Sequence, residues 1–183
     1  YPNASTGGAI RRLEDRDGDG RFETSRIFAE GLPFPNSVLP WNGGLLVTAA
    51  PDLWYLKDTN GDGQAEERRV LFTGFGTGNQ QLRANGRFWG LDGWVYGANG
   101  RSDGEIRRPE STERWSLRGR DFRFRPATGE FETLVGRSQF GHGRDAWGNR
   151  FLSWNTIPVR HEVFPDRYLA QHPALAALDV VVD

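Results

Sequence analysis

One acidic segment occurs twice, and the repetition constrains the fold more than any other feature of the chain. Leu13-Glu-Asp-Arg-Asp-Gly-Asp-Gly-Arg-Phe-Glu23 returns 43 residues later as Leu56-Lys-Asp-Thr-Asn-Gly-Asp-Gly-Gln-Ala-Glu66. Self-similarity at a fixed period of this size marks a supersecondary unit that buries its apolar face only against copies of itself. Each copy is followed by a short apolar run, Arg26-Ile-Phe-Ala29 or Arg69-Val-Leu-Phe72, and then by a glycine-containing link. Next comes a turn leading into an apolar strand, at Trp41-Asn-Gly-Gly-Leu-Leu-Val-Thr48 and at Leu91-Asp-Gly-Trp-Val-Tyr96. A third such turn-plus-strand stands at Trp147-Gly-Asn-Arg-Phe-Leu-Ser-Trp154.

Units near 50 residues, each holding four short strands, fit blades of a β-propeller. Composition agrees: 24 glycines, 12 Phe, 7 Trp and 4 Tyr favour a turn-rich, aromatic-packed all-β fold over a helical bundle. The expected blades lie near residues 8–29, 37–72, 86–135 and 140–183. They form an incomplete propeller of three to four four-stranded blades spanning residues 1–183, with a six-bladed ring as the complete form. Strands are expected at 8–14, 24–28, 37–40, 45–49, 53–56, 69–72, 86–90, 94–98, 121–124, 131–135, 140–144 and 150–154. Residues 101–120 read as a polar insertion, 165–178 as a short helix or loop excursion, and 178–183 as a strand. Such an arc cannot close and so needs the rest of its own propeller as a partner. The chain therefore reads as a piece of a longer protein.

Several function classes are excluded. Twenty-three basic and 24 acidic side chains give a net charge of −1 without a concentrated basic field, which argues against nucleic acid. No apolar run approaches the length of a membrane span. The chain has no cysteine, so disulfides, thiol nucleophiles, zinc–thiolate sites and covalently attached c-type haem are absent within it.

The repeated loops carry the strongest chemistry. Asp15, Asp17, Asp19 and Glu23, and likewise Asp58, Asn60, Asp62 and Glu66, place side-chain oxygens at positions 1, 3, 5 and 9 of a glycine-containing turn. Arg21 and Gln64 at position 7 offer backbone carbonyls, and such an oxygen cage suits calcium (Ca2+). Position 12 is Arg26 or Arg69, and no amphipathic helix flanks either loop, so the pattern is a short loop between strands rather than a helix–loop–helix sensor. The alternative is a pair of Asp-Gly turns with solvated carboxylates. In a four-stranded meander both loops join the outer two strands, which assigns any ion a structural role.

The links at the opposite end collect polar groups. Asn79, Gln80, Gln81 and Arg83 lie in Gly74-Phe-Gly-Thr-Gly-Asn-Gln-Gln-Leu-Arg83. Arg137, His142 and Arg144 lie in Gly136-Arg-Ser-Gln-Phe-Gly-His-Gly-Arg144, and Asn99, Arg101 and Asn155 lie in the remaining links. Amides and guanidinium groups so gathered suit hydroxyl-rich or carboxylate-bearing ligands; satisfying backbone groups around a channel is the competing role. His142 is the proton-transfer candidate by residue type. Trp54, Tyr55, Phe88, Trp89, Trp94, Tyr96, Phe122, Phe124, Trp147 and Trp154 are assigned to packing between blades.

With these motifs in order, the chain resembles the six-bladed propellers of soluble quinoprotein glucose and sorbosone dehydrogenases, and in particular the large planctomycete-type membrane-bound dehydrogenase-like proteins. The matching stretches are the two acidic segments with Asp52-Leu-Trp-Tyr-Leu-Lys57, Leu71-Phe-Thr-Gly-Phe-Gly76, Gly90-Leu-Asp-Gly-Trp-Val-Tyr-Gly97 and Phe140-Gly-His-Gly-Arg-Asp-Ala-Trp-Gly-Asn149. The resemblance implies an exported protein, a sugar-type ligand, oxidation dependent on pyrroloquinoline quinone (PQQ), and a cytochrome c domain in the same protein. In that setting His142 would act as base and Arg137 or Arg83 would polarise the quinone carbonyl. The family's Gly-x-Arg-Asn link reads Gly136-Arg137-Ser138-Gln139 here, and the position of its catalytic His falls on Arg83. The alternative is a non-catalytic, calcium-stabilised module that binds carbohydrate or protein.

Overall fold

The computed structural model describes residues 7–169, 171, 172, 174, 181 and 182. The chain is all-β, with one short α-helix and a 3₁₀ turn at Gln80–Leu82 among the described residues. Strands β1 (Gly8–Glu14) and β2 (Thr24–Leu32) form an antiparallel pair. Next come β3 (Ser37–Trp41), β4 (Gly44–Ala49), β5 (Asp52–Lys57) and β6 (Glu67–Phe75), an antiparallel meander. Strands β7 (Asn85–Trp89), β8 (Val95–Ala98), β11 (Asp121–Arg125) and β12 (Glu130–Leu134) make the third sheet, in the order β12-β11-β8-β7. The fourth runs β13 (His142–Arg144), β14 (Arg150–Leu152), β15 (Arg160–Glu162) and β16 (Val181–Val182), with helix α1 (Asp166–Leu169) between the last two. None of these sheets is closed.

The expected strands are present in order, with two corrections. Residues 101–120 are more than a polar insertion: they hold β9 (Gly104–Arg107) and β10 (Trp115–Ser116), which extend the second sheet to six strands, β10-β9-β6-β5-β4-β3. Strand β15 lies where none was expected. Of the expected strand at 178–183, Val181 and Val182 are extended, and the other positions lie outside the described residues.

Local chemistry sets the turns. Asn42 and Gly43 take φ values of 48° and 74°, as a two-residue hairpin requires for strands of right-handed twist, and Trp41 pairs directly with Gly44. In β4 the last four residues are all buried, so the continuous Leu-Val-Thr-Ala run has both faces covered instead of alternating.

Successive sheets pack side by side. Ala29, Leu32, Val47, Ala49, Leu56 and Ala65 join the first to the second, with the Ala65 N–H donating to the Phe28 carbonyl at 2.8 Å. Between the second and third, a larger cluster includes Leu46, Tyr55, Phe72, Phe75, Ile106, Phe122, Phe124 and Phe131. Arg87 crosses the same seam to donate to the carbonyls of Ser37 (2.6 Å) and Leu46 (2.9 Å). Burial pushes its guanidinium down to about 9. Among the described residues no helix is long and apolar enough to cross a membrane.

Candidate functional site

Both acidic loops fold alike, because each is closed by its own first carboxylate. Asp15 accepts from the N–H groups of Gly18 (2.7 Å) and Gly20 (2.9 Å), and Asp58 accepts from those of Gly61 (2.6 Å) and Gly63 (2.8 Å). These bonds require left-handed backbone at the four glycines, whose φ values lie between 77° and 93°. The ninth position reaches back: Glu23 accepts from the Arg16 N–H at 2.7 Å and Glu66 from the Thr59 N–H at 2.8 Å. Arg21 and Gln64 donate their N–H groups to Asp19 and Asp62, each at 2.8 Å. One oxygen from each of Asp15, Asp17, Asp19 and Glu23 lies within 4.8 Å of the others, and the same holds for Asp58, Asp62 and Glu66. In the second loop the Asn60 amide nitrogen reaches Asp62 (3.2 Å) and Glu66 (3.3 Å), so a partial positive charge stands among the carboxylates. Hydrogen bonds led by that from Gly61 hold the Asp58 carboxyl below its ordinary range.

At the other ends of the sheets the links meet. The Gly76 N–H donates to the Asp103 carbonyl (2.9 Å) and the Gly100 N–H to the Ser138 carbonyl (2.9 Å), and the Asn85 side chain reaches the Gln139 carbonyl at 2.9 Å. Arg101 and Arg137 both lie over Trp154, their guanidinium carbons 4.7 and 5.9 Å from the ring centre. Arg137 also pairs with Asp103 at 3.5 Å. Asn155, Gln80 and Gln81 are exposed.

A buried ionic network lies between the third and fourth sheets. Asp121 accepts from the N–H groups of Asn99 (2.8 Å) and Ser138 (2.9 Å), from the Ser138 hydroxyl (2.5 Å) and from Arg150 (3.2 Å). Arg150 also donates to Glu162 and to the Val135 carbonyl, and its Nη1 lies 3.2 Å from His142 Nδ1. The His142 ring stands edge-on to Phe88, its side chain wholly enclosed. Burial, reinforced by Arg150 and Arg144, holds the imidazole well below its ordinary value, so it is neutral. Burial raises Asp121 and Glu162, with Arg150 opposing.

This network sets a pH dependence. Below the ordinary imidazole value of about 6.5 the unfolded chain takes up a proton at His142 that the folded chain refuses, so stability is complete above that pH and falls as pH drops. The slope approaches about 1.4 kcal/mol per pH unit for one proton. Asp121 and Glu162, raised in the folded state, contribute in the opposite sense at lower pH. Urea unfolding between pH 7 and 5.5 is expected to show this loss, and His142→Gln to flatten it; equal slopes in the two proteins would exclude His142 as the source.

The structure separates the expected site residues. Arg83 is buried, donates to the Thr77 carbonyl at 2.8 Å and lies over the Phe34 ring. Arg137 sits at Trp154, and His142 in the Asp121 network. A cavity of about 600 Å³ touches His142 together with Phe88, Phe140, Phe151 and Val159, but neither Arg83 nor Arg137 lines it. The trio expected for quinone chemistry is therefore not brought together, and no step through PQQ follows from these residues. Asn99, expected to bind ligand, spends its amide on Asp103 and the carbonyls of Leu117 and Arg120. Asn79 caps the 3₁₀ turn Gln80–Leu82. Arg144 lies at the turn end of β13, against the Tyr96 ring, away from the links. Trp147, expected in the core, is 87% exposed. Asp121, Arg150, Glu162 and Arg87 went unnoticed in the sequence; the one local sign was a carboxylate opening the buried Asp121-Phe-Arg-Phe run.

Fold and site together define an all-β chain of adjoining antiparallel sheets with a pair of matching acidic turns. The chain belongs to the family described as a domain of unknown function (DUF7133), whose profile matches residues 1–182. No curated protein and no solved structure matches it.

Proposed function

We propose that the chain is the calcium-binding portion of a β-propeller in an exported, dehydrogenase-like protein, and that this portion binds ligand without performing the redox step. The observation that carries the reading is the pair of acidic loops. Two segments 43 residues apart adopt one hydrogen-bond pattern and crowd carboxylate oxygens within 4.8 Å. Crowding of that kind is unfavourable without a cation, and a hard divalent ion in an oxygen cage relieves it. Asp15, Asp17, Asp19 and Glu23 would hold one ion, and Asp58, Asn60, Asp62 and Glu66 the other, with the carbonyls of Arg21 and Gln64 as further ligands. The ions brace structure: the second loop carries Ala65, which bonds to Phe28 of the neighbouring sheet. Enclosure of His142 and dispersal of Arg83 and Arg137 favour binding over catalysis. The link ends, with Arg101, Arg137, Trp154 and Asn155, supply groups for a sugar-type or carboxylate-bearing ligand.

Calcium at about ten times its dissociation constant is expected to stabilise the protein by about 1.4 kcal/mol per loop. A thermal melt in calcium against chelator reads this directly, and Asp17→Ala with Asn60→Ala should abolish the difference. Coincident melting curves for the unsubstituted protein in calcium and in chelator would refute metal stabilisation.

A further inference from the structure

A cleft of about 570 Å³ opens at the turn ends of the third and fourth sheets, between β11–β12 on one side and the 145–149 turn with α1 on the other. Trp147 stands at its rim, and Tyr168, 46% exposed, also lines it. An indole left almost wholly in water by a folded chain marks a contact surface. The turn that carries it is closed by Asp145, which accepts from the N–H groups of Trp147 (3.0 Å) and Asn149 (2.9 Å) and from the Asn149 amide (2.8 Å). The backbone that carries the ring is therefore set before any ligand arrives, which leaves only side-chain ordering to be met on binding.

The charges of the cleft do not cancel. Its carboxylates are already engaged: Glu132 by Arg123 at 2.6 Å, Asp166 by Arg120 at 2.6 Å, and Glu162 by Arg150. Arg144 and Arg167 line the same cleft, and neither has a carboxylate within ion-pair distance among the described residues. Arg144 rests on the face of Tyr96 at 4.2 Å and Arg167 on Tyr168 at 4.9 Å. Two planar cations beside two exposed aromatic rings match a ligand with an apolar face and an anionic group. A guanidinium takes a carboxylate or sulfate through paired N–H bonds, and the C–H face of a sugar ring packs on an indole. Charged walls give an apolar peptide anchor no seat, whereas a sugar meets them with hydroxyls.

We propose that this cleft is a binding site for an acidic polysaccharide, with Trp147 stacking on a sugar ring and Arg144 and Arg167 holding its carboxylate or sulfate. It lies apart from the links and needs neither calcium loop, so its fate is independent of the function proposed above.

The test is calorimetric titration of the chain, at constant ionic strength, with an oligogalacturonate, a sulfated oligosaccharide, a neutral cello-oligosaccharide and a poly-glutamate peptide. At least one anionic oligosaccharide should bind about tenfold or more tightly than the neutral one, and comparison of the first two separates carboxylate from sulfate. Trp147→Ala should weaken that binding about tenfold without altering the melting temperature, as loss of an anchoring aromatic does. Arg144→Gln with Arg167→Gln should weaken it and flatten its salt dependence. The proposal is overturned if no anionic oligosaccharide binds, if the neutral one binds as well, if Trp147→Ala leaves affinity unchanged, or if poly-glutamate binds as tightly as the sugars, which would reassign the cleft to an acidic protein segment.

Discussion

Replacing Arg150 with Met is expected to destabilise the protein by about 3–5 kcal/mol, since it leaves two buried carboxylates without their cation. The Arg150 side chain is 2% exposed and joins Asp121, Glu162, His142 and the Val135 carbonyl in one hub. Its loss strands Asp121, wholly enclosed between the third and fourth sheets, and Glu162, nearly so. Urea unfolding at pH 7 measures the loss. Two companion results test its cause. Acidification should restore stability to the variant, because carboxyls that burial already raises gain further from protonation once the guanidinium is gone. Adding Asp121→Asn and Glu162→Gln should also recover most of the loss, since a buried polar group without charge avoids the desolvation that Arg150 offsets. A single substitution costing less than about 1 kcal/mol would show that solvent reaches these carboxylates.

What was legible in the sequence is what short-range chemistry decides. The acidic loops were readable because every bond that shapes them closes within nine residues, from Asp15 to Glu23 and from Asp58 to Glu66. Strands such as β5 and β12 were readable because their apolar residues are bounded by turn formers, Pro51 and Gly61 for β5 and Gly129 and Gly136 for β12. Strand β9 escaped because the sheet it joins is reached through β6, about thirty residues earlier, its nearer partner β10 is only two residues long, and Ile106 is its only fully buried apolar side chain. The Asp121 network escaped for the same reason: Asp121 lies 29 residues from Arg150 and meets it only when the third and fourth sheets pack, while Glu162 reaches Arg150 through the pairing of β14 with β15, a strand the sequence did not reveal. Arg144 was misplaced because alternation along a strand fixes the side of the sheet but not which end of it a residue occupies. Trp147 was misplaced because composition alone assigns a tryptophan to the interior, whereas the Asp145 turn holds this one outside.

The correction to residues 101–120 carries its own expected result. Phe72, 1% exposed on β6, touches the rings of Phe131 (5.1 Å) and Phe124 (5.5 Å) in the third sheet and of Trp115 (6.3 Å) on β10. Phe72→Ala is therefore expected to cost about 3–5 kcal/mol, the range for emptying an aromatic site in a packed core. Were the added hairpin a loose appendage, Trp115→Leu would be nearly neutral and additive with Phe72→Ala. Because Trp115 packs on Phe131 at 5.1 Å as well as on Phe72, a double-mutant cycle should instead return a coupling of about 0.5–1.5 kcal/mol. Coupling of that size makes the hairpin part of the seam between two sheets. It covers the outer edge of β6 and at the same time supplies Ile106 and Leu117 to the shared core. An additive result with a full-sized loss at Phe72 alone would confine the seam to β6, β11 and β12 and leave β10 outside it.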